Sequence, residues 1–183
     1  MIIWINGAFG AGKTTTALEL NRRLPNSFVY DPENVGQFIR GNTNGLFAEG
    51  DFQDIPLWRE MNYKTLRMIA EKYDGTIIVP MTLVNPDYYR EIIGRLITGG
   101  VDVRHYILYV TRDEIRHRLK KRSFYFILRN DDFGLNAIDR CVDAFDNHIK
   151  DVKIYTDNMR VDAVVEKIAD LAGLRLLTRR KSR

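Results

Sequence analysis

Cysteine is nearly absent from this sequence of 183 residues, which contains only Cys141. A single thiol excludes an internal disulfide framework and is typical of proteins from a reducing compartment. Histidine is scarce too, and His105, His117 and His148 lack the spacing of metal ligands, so we expect no structural zinc site. These scarcities indicate a fold that depends on its apolar core rather than on covalent or metal cross-links.

Long apolar runs are also missing. No stretch is apolar over the length that a membrane-spanning helix needs, and the chain begins with Met1, Ile2, Ile3 and Trp4 rather than with a basic leader. We therefore expect a soluble cytoplasmic protein. The composition, 45% hydrophobic and 28% charged, is that of a globular chain, and its length suits one domain over residues 1–183.

The small excess of positive charge, +4 overall, is localised in two runs. Residues 112–129 hold seven lysines or arginines against two acids, and residues 175–183 hold five with no acid. A solvated face is the usual explanation of such a run. The first run, however, lies where a phosphotransferase needs mobile cations.

One segment carries a specific motif. Residues 7–14 contain G-x-x-x-x-G-K-T between a short apolar strand and a helical pattern, which is the spacing and context of a phosphate-binding loop. The glycines let backbone N–H groups point at phosphate oxygens, and the following helix adds the positive end of its dipole. A tight strand-to-helix connection would also use glycine, but it would not account for the lysine and threonine at this offset. We therefore predict binding of ATP with Mg²⁺.

The motif predicts individual roles at the nucleotide end. Lys13 should reach the β- and γ-phosphates, and the Thr14 hydroxyl should hold Mg²⁺. The turn after the last strand should lie against the edge of the adenine ring. The remaining predicted nucleotide contacts are Gly7, Ala8, Phe9, Gly10, Ala11, Gly12, Thr15, Thr156 and Asp157.

Periodicity predicts alternating strands and helices along the chain. The predicted strands are 2–5, 27–30, 76–81, 101–110 and 152–155, and the predicted helices are 14–24, 33–40, 57–73, 85–97, 112–122, 135–149 and 161–172. This alternation favours an α/β fold of the P-loop nucleotide-kinase type, with a five-stranded parallel sheet and helices on both faces. Irregular segments are expected at about 41–56, on the substrate side, and at 123–134.

Residues that could act on an acceptor follow the predicted elements. Asp31 comes directly after the second strand, at the carboxyl edge where ligands of open α/β sheets bind, and is a candidate base. An Asp-Pro turn that caps the next helix is the alternative. Arg118 and Arg122 share one helix face and begin a predicted lid, about 118–134, that could close over the γ-phosphate.

The predicted acceptor pocket surrounds the irregular segment. Stacking and hydrogen bonding there are expected from Arg40, Phe52, Trp58, Arg59 and Tyr63, although aromatic residues at helical spacing, such as Trp58 and Tyr63, are equally typical of a core. The third strand ends without the acidic residue that usually supports Mg²⁺. Either Thr82 replaces it as a polar ligand or another carboxylate serves.

The sequence resembles the tunicamycin-resistance proteins, a small bacterial group of P-loop ATP-binding proteins, over nearly everything up to about Ala172. The residues that carry the resemblance are 3–14 (IWINGAFGAGKT), 29–33 (VYDPE), 51–52 (DF), 56–59 (PLWR), 78–82 (IVPMT), 91–96 (EIIGRL), 138–142 (IDRCV) and 156–158 (TDN). The resemblance implies ATP-dependent protection against tunicamycin, a nucleoside antibiotic with uridine and sugar parts. Through the basic tail, 174–183, it implies at most a weak attraction to anionic lipid.

Three functions remain open from the sequence. The first is an ATP-dependent phosphotransferase acting on a hydroxyl of tunicamycin or a related small molecule. The second is a non-catalytic ATP-gated protein that sequesters the drug, and the third is a nucleoside, nucleotide or nucleic-acid kinase.

Overall fold

Five parallel strands form one sheet at the centre of the molecule. The computed structural model describes the backbone of residues 1–125 and 132–178 and the side chains of residues 1–118 and 138–178. The strands are β1 (Ile2–Gly7), β2 (Ser27–Val29), β3 (Thr76–Pro80), β4 (Val103–Tyr109) and β5 (Val152–Tyr155), in the spatial order β2-β3-β1-β4-β5. Because the chain first turns toward β2 and later toward β4, the carboxyl end of β1 lies at the switch point where α/β sheets bind ligands.

Helices cover both faces of this sheet, as predicted. They are α1 (Lys13–Arg23), α2 (Glu33–Asn42), α3 (Pro56–Lys72), α4 (Pro86–Tyr89), α5 (Arg95–Thr98), α6 (Arg112–Tyr125), α7 (Asp132–Asn147) and α8 (Val161–Ala172). The α1, α7 and α8 helices contribute to one apolar core, and α3 and α5 contribute to the other. Strands buried on both faces explain the unbroken apolar runs of β1 and β3.

The helix predicted at 85–97 has the expected ends, Pro86 and Thr98, but contains a π-helical turn, Arg90–Gly94, between α4 and α5. One other predicted segment has wrong boundaries. The loop predicted at 123–134 is too long, because α6 continues to Tyr125 and α7 begins at Asp132. Ser, Phe and Tyr are tolerated in a helix, and an aspartate suits the first turn, so polar and aromatic composition alone did not mark a loop.

No helix among the described residues is both long and apolar enough to cross a membrane.

Candidate functional site

The phosphate loop joins β1 to α1 in a conformation that depends on glycine. Gly12, which caps α1, has a φ of 93°, a left-handed conformation that L side chains rarely adopt. A Cβ added at Gly7 would lie 2.9 Å from the carbonyl oxygen of Leu108 on β4. The loop therefore fits against the sheet edge only with glycine at these two positions.

The loop opens into a cavity of about 900 Å³ at the carboxyl edge of the sheet. The residues that line it are Phe9, Gly10, Gly12, Lys13, Thr14, Thr15, Glu33, Arg40, Gly50, Asp51, Phe52, Gln53, Pro80, Met81, Thr82 and Arg118. The structure thus brings most of the predicted phosphate loop together with predicted acceptor-side residues. Gly7, Ala8 and Ala11 are not part of this lining and are buried in the base of the loop.

Lys13 lies between the phosphate loop and the acceptor side. Its ammonium group donates to the carbonyl of Ala8 at 3.1 Å and lies 5.6 Å from the centre of the Phe9 ring. Thr14 follows at the amino end of α1, where the helix dipole is positive. A lysine and a hydroxyl at this end of a helix form a favourable setting for a polyphosphate.

Glu33 is a cavity residue to which our sequence analysis assigned no role. It begins α2 with its side chain exposed at the cavity. Partial desolvation there, followed by the negative charge of Asp31, raises the pKa of its carboxyl, while Lys13 acts in the opposite direction. A carboxyl with a raised pKa that faces a cavity is a candidate proton acceptor. The signal was present in the sequence as an Asp-Pro-Glu triplet, which brings two carboxylates to the edge of the sheet after β2.

Asp31 itself is not among the residues that line the cavity. Its carboxylate accepts a hydrogen bond from the backbone N–H of Glu33 at 3.0 Å, which is the turn-capping contact weighed in the sequence analysis. The same contact fixes the start of α2 and therefore the position of the Glu33 side chain. Asp31 thus acts on the cavity through Glu33, by position and by charge.

Trp58, Arg59 and Tyr63 are buried behind the cavity wall rather than in it. The Trp58 indole N–H donates to the carbonyl of Pro32 at 2.9 Å, and its ring packs on Phe52 at 5.3 Å. Arg59 donates to the carbonyl of Gln53 at 2.5 Å and to the carboxylate of Glu91 at 2.6 Å. These α3 residues support the wall because amphipathic helix spacing turns them toward the core.

The irregular segment predicted at 41–56 is anchored at its end by a 3₁₀ helix, Phe52–Asp54. The side chain of Gln53 donates to the carbonyl of Thr82 at 3.0 Å, and Arg40 donates to the carbonyl of Gly50 at 2.6 Å. The Arg40 guanidinium also lies 5.3 Å from the centre of the Phe52 ring. Arg40 and Phe52 therefore line the cavity as one unit.

Gly36 sets the position of Phe52, and a pair of substitutions tests this. A Cβ at Gly36 would lie 2.7 Å from the Phe52 ring, whereas a Cβ at Gly41 on the same helix would meet no atom within 4 Å. We expect Gly36→Ala to lower the free energy of unfolding by about 1–3 kcal/mol through overpacking. Gly41→Ala should raise it by up to about 1 kcal/mol through helix propensity. Urea unfolding measures both, and equal effects would contradict the packing.

Thr82 follows β3, at the position where an acidic residue usually supports Mg²⁺ in this type of fold. It is 5% exposed, and its hydroxyl donates to the carbonyl of Gly7 at 2.8 Å. This hydrogen bond ties the segment after β3 to the first residue of the phosphate loop. Its oxygen keeps acceptor capacity toward the cavity, but it supplies no negative charge.

The predicted adenine turn and Arg118 contact each other. The Arg118 guanidinium donates to the carbonyls of Thr156 and Asp157 at 2.9 and 3.2 Å and pairs with Glu114 at 2.7 Å. Burial raises the pKa of Asp157, but hydrogen bonds from Thr111 outweigh it and the net pKa is lowered. Neither Thr156 nor Asp157 lines the cavity. The side chain of Arg122 lies outside the described residues, as do the other side chains of the predicted lid after Arg118.

Magnesium suits the donor set of this cavity. The Thr14 hydroxyl and the carboxylates of Glu33 and Asp51 face the same space, and Mg²⁺ prefers oxygen ligands. Among the residues that the structure describes, no group of three or more His, Cys, Asp or Glu side chains could hold a metal by itself.

Known proteins share the fold that builds this site. The family described as an AAA domain matches residues 2–147, whereas no curated protein matches the chain. The structure is similar to that of the tunicamycin resistance protein of Deinococcus radiodurans, with a TM-score of 0.79 and 29% identity over 97% of this chain and 99% of that one. The resemblance predicted from the sequence is thereby confirmed.

Two kinases share the fold at lower identity. A sugar kinase from Janibacter sp. HTCC2649 has a TM-score of 0.65 and 16% identity over 94% of each chain. A shikimate kinase from Aquifex aeolicus has a TM-score of 0.57 and 18% identity over 94% of this chain and 97% of that one. These similarities confirm the predicted P-loop kinase-like fold.

Proposed function

Because this chain belongs to the AAA domain family and has a P-loop kinase-like fold, we propose that it is an ATP-dependent phosphotransferase acting on a hydroxyl of tunicamycin or a related small molecule. One observation carries the proposal above the others. A single cavity is lined by the phosphate loop and by Glu33, a carboxyl with a raised pKa, together with Arg40 and Phe52. A phosphoryl donor and a hydroxyl acceptor could meet there.

The reaction assigns a task to each side of the cavity. The γ-phosphoryl group leaves the β-phosphate oxygen of ATP and bonds to the acceptor oxygen, and the acceptor proton passes to the Glu33 carboxylate. Lys13 neutralises charge on the phosphates, and the backbone N–H groups of the loop hold them in position. Mg²⁺, held by Thr14 and by a cavity carboxylate, would supply further neutralisation of phosphate charge.

Arg118 has two candidate positions in this scheme. In the present conformation it holds the turn at Thr156 and Asp157, beside the expected adenine. Closure over the γ-phosphate would require Arg118 to leave this turn and Glu114. We propose that it first orders the adenine turn and reaches the phosphates only if the helix moves.

The acceptor class rests on the similarity to the Deinococcus radiodurans protein, which is described as a tunicamycin resistance protein. Arg40 and Phe52 at the acceptor side suit a ligand with both a flat ring and polar groups, such as a nucleoside attached to sugars. A panel of acceptors with labelled ATP tests this choice. Transfer to tunicamycin should exceed transfer to uridine, free sugars and RNA, and preferential labelling of RNA would contradict it.

A second candidate function is ATP-gated sequestration of the drug without transfer. The observation in its favour is Thr82, which lies where such kinases usually carry an acid and whose hydroxyl is already bonded to Gly7. Counting the ADP released per protein molecule in the presence of tunicamycin distinguishes the two functions. Release of many ADP molecules per protein molecule supports transfer. Stoichiometric binding of the drug without release of ADP supports sequestration.

A further inference from the structure

A buried asparagine anchors the first residue of the phosphate loop. Asn6 is fully buried at the end of β1, and its side-chain oxygen accepts hydrogen bonds from the backbone N–H groups of Gly7 at 2.8 Å and Leu83 at 2.9 Å. Its side-chain nitrogen donates to the carbonyl of Leu83 at 2.8 Å. One amide therefore holds the phosphate loop against the segment that follows β3.

These contacts determine the protonation of a neighbouring histidine. Since the oxygen of Asn6 faces two N–H donors and its nitrogen faces a carbonyl, the orientation of the amide is fixed. The Nδ2 of Asn6 lies 3.1 Å from Nε2 of His105, so this Nε2 must accept the hydrogen bond. A neutral imidazole has one donor and one acceptor, and the proton of His105 is therefore on Nδ1, which donates to Asp151 at 2.7 Å.

Asp151 completes the chain of contacts. Its carboxylate also accepts a hydrogen bond from the Tyr89 hydroxyl at 2.8 Å, and the Tyr89 ring meets that of His105 edge-on at 5.3 Å. Burial acts to raise the pKa of Asp151, but the hydrogen bonds from His105 and Tyr89 lower it overall. Asp151 also lines a second cavity, of about 240 Å³. The polar lining of this cavity includes Arg90, His148 and Lys150.

We propose that Asn6 and His105 are positioning residues for the phosphate loop: Nε2 of His105 accepts a hydrogen bond that holds the Asn6 amide in place, and loss of this acceptor weakens ATP binding. The proposal rests on nucleotide binding at the loop and not on transfer to any acceptor.

The effect of losing the acceptor follows from the donor and acceptor count. The Asn6 Nδ2 has two N–H groups, of which one donates to the carbonyl of Leu83 and the other faces Nε2 of His105. Without an acceptor at position 105, the second N–H is buried without a partner, which is costly. The amide must then move away from Gly7 or Leu83 to find another acceptor.

Glutamine and leucine at position 105 separate hydrogen bonding from packing. The side-chain oxygen of glutamine can accept the hydrogen bond from Asn6, whereas leucine fills the space without an acceptor. We would measure the dissociation constant of Mg-ATP by calorimetry at about pH 8, where imidazoles are neutral. His105→Leu should lose about tenfold in affinity, the worth of one hydrogen bond, and His105→Gln should bind nearly as well as wild type.

His148→Leu is the matched control, because His148 is exposed and also lies by the second cavity. It should bind Mg-ATP as tightly as wild type. Equal affinities in His105→Leu and His105→Gln would overturn the proposal.

The tautomer gives a test that needs no variant. Nitrogen NMR of the wild-type imidazole at about pH 8 should show a protonated Nδ1 and an unprotonated Nε2 for His105. A proton on Nε2 would overturn the proposal, whether or not His105→Gln folds. Failure of the wild type to bind ATP at pH 8 would instead contradict the proposed function, so the two failures are distinguishable.

Discussion

Replacing Glu33 by glutamine is expected to slow phosphoryl transfer by about 10²–10⁴-fold, the usual contribution of a general base, while ATP affinity changes little. Glutamine keeps the size and polarity of the side chain but has no basic oxygen for the acceptor proton. Glu33 lines the cavity, and partial desolvation together with the charge of Asp31 raises the pKa of its carboxyl. Steady-state kinetics with tunicamycin as acceptor, beside calorimetry with ATP, measures both quantities.

Asp31→Asn is the matched comparison for this substitution. Asparagine can still accept the hydrogen bond from the Glu33 N–H, so the turn should persist. The negative charge of Asp31 raises the pKa of Glu33, so its removal should lower that pKa. The acid limb of kcat/KM should then move to lower pH, with a smaller loss of rate than in Glu33→Gln. Loss of transfer in Asp31→Asn with transfer kept in Glu33→Gln would assign the base to Asp31 instead.

Replacing Lys13 by alanine is expected to lower kcat by about 10²–10³-fold, because a fixed positive group aimed at the transferring phosphates is lost. The affinity for ATP should fall as well, since this cation also contacts the bound phosphates. The fold should persist, because Lys13 lies at the cavity rather than in the core. The rise in melting temperature on adding ATP reports the binding part of the effect.

Lys167→Ala is the control for Lys13→Ala, because Lys167 is exposed on α8 and is not part of the cavity lining. It should leave both the rate and the ATP-induced shift in melting temperature unchanged. Full activity in Lys13→Ala would remove the phosphate loop from the reaction.

Local patterns predicted the fold around the phosphate loop, for a physical reason. A phosphate loop needs its glycines, its lysine and its threonine within eight consecutive residues, so both motif and context lie in one stretch of sequence. The buried strands β1 and β3 are equally local, since being covered on both faces requires unbroken apolar runs. The parallel direction of the strands followed from the alternation of strands and helices.

The acceptor side was harder to predict because it depends on contacts between distant segments. The position of Trp58 behind the wall follows from its hydrogen bond to Pro32, and that of Phe52 from its packing on Gly36. Neither contact leaves a mark in the spacing of residues along the chain. The pairing of Asn6 with His105 likewise depends on how β4 aligns with β1, which only the folded sheet defines.

Glu33 shows a second limit of prediction from sequence. Asp31 is the predicted base because it comes directly after the strand. In the folded protein its carboxylate accepts a backbone N–H in the turn, and Glu33 rather than Asp31 lines the cavity. The course of the turn, which residue types alone do not define, determines this difference.

Mass spectrometry of tunicamycin after incubation with the protein and Mg-ATP tests the central proposal most directly. The account predicts that the drug gains the mass of one phosphate group, that an equal amount of ADP appears, and that Lys13→Ala produces neither. An unchanged drug mass with wild-type protein that binds both ATP and tunicamycin would contradict phosphotransfer and favour sequestration.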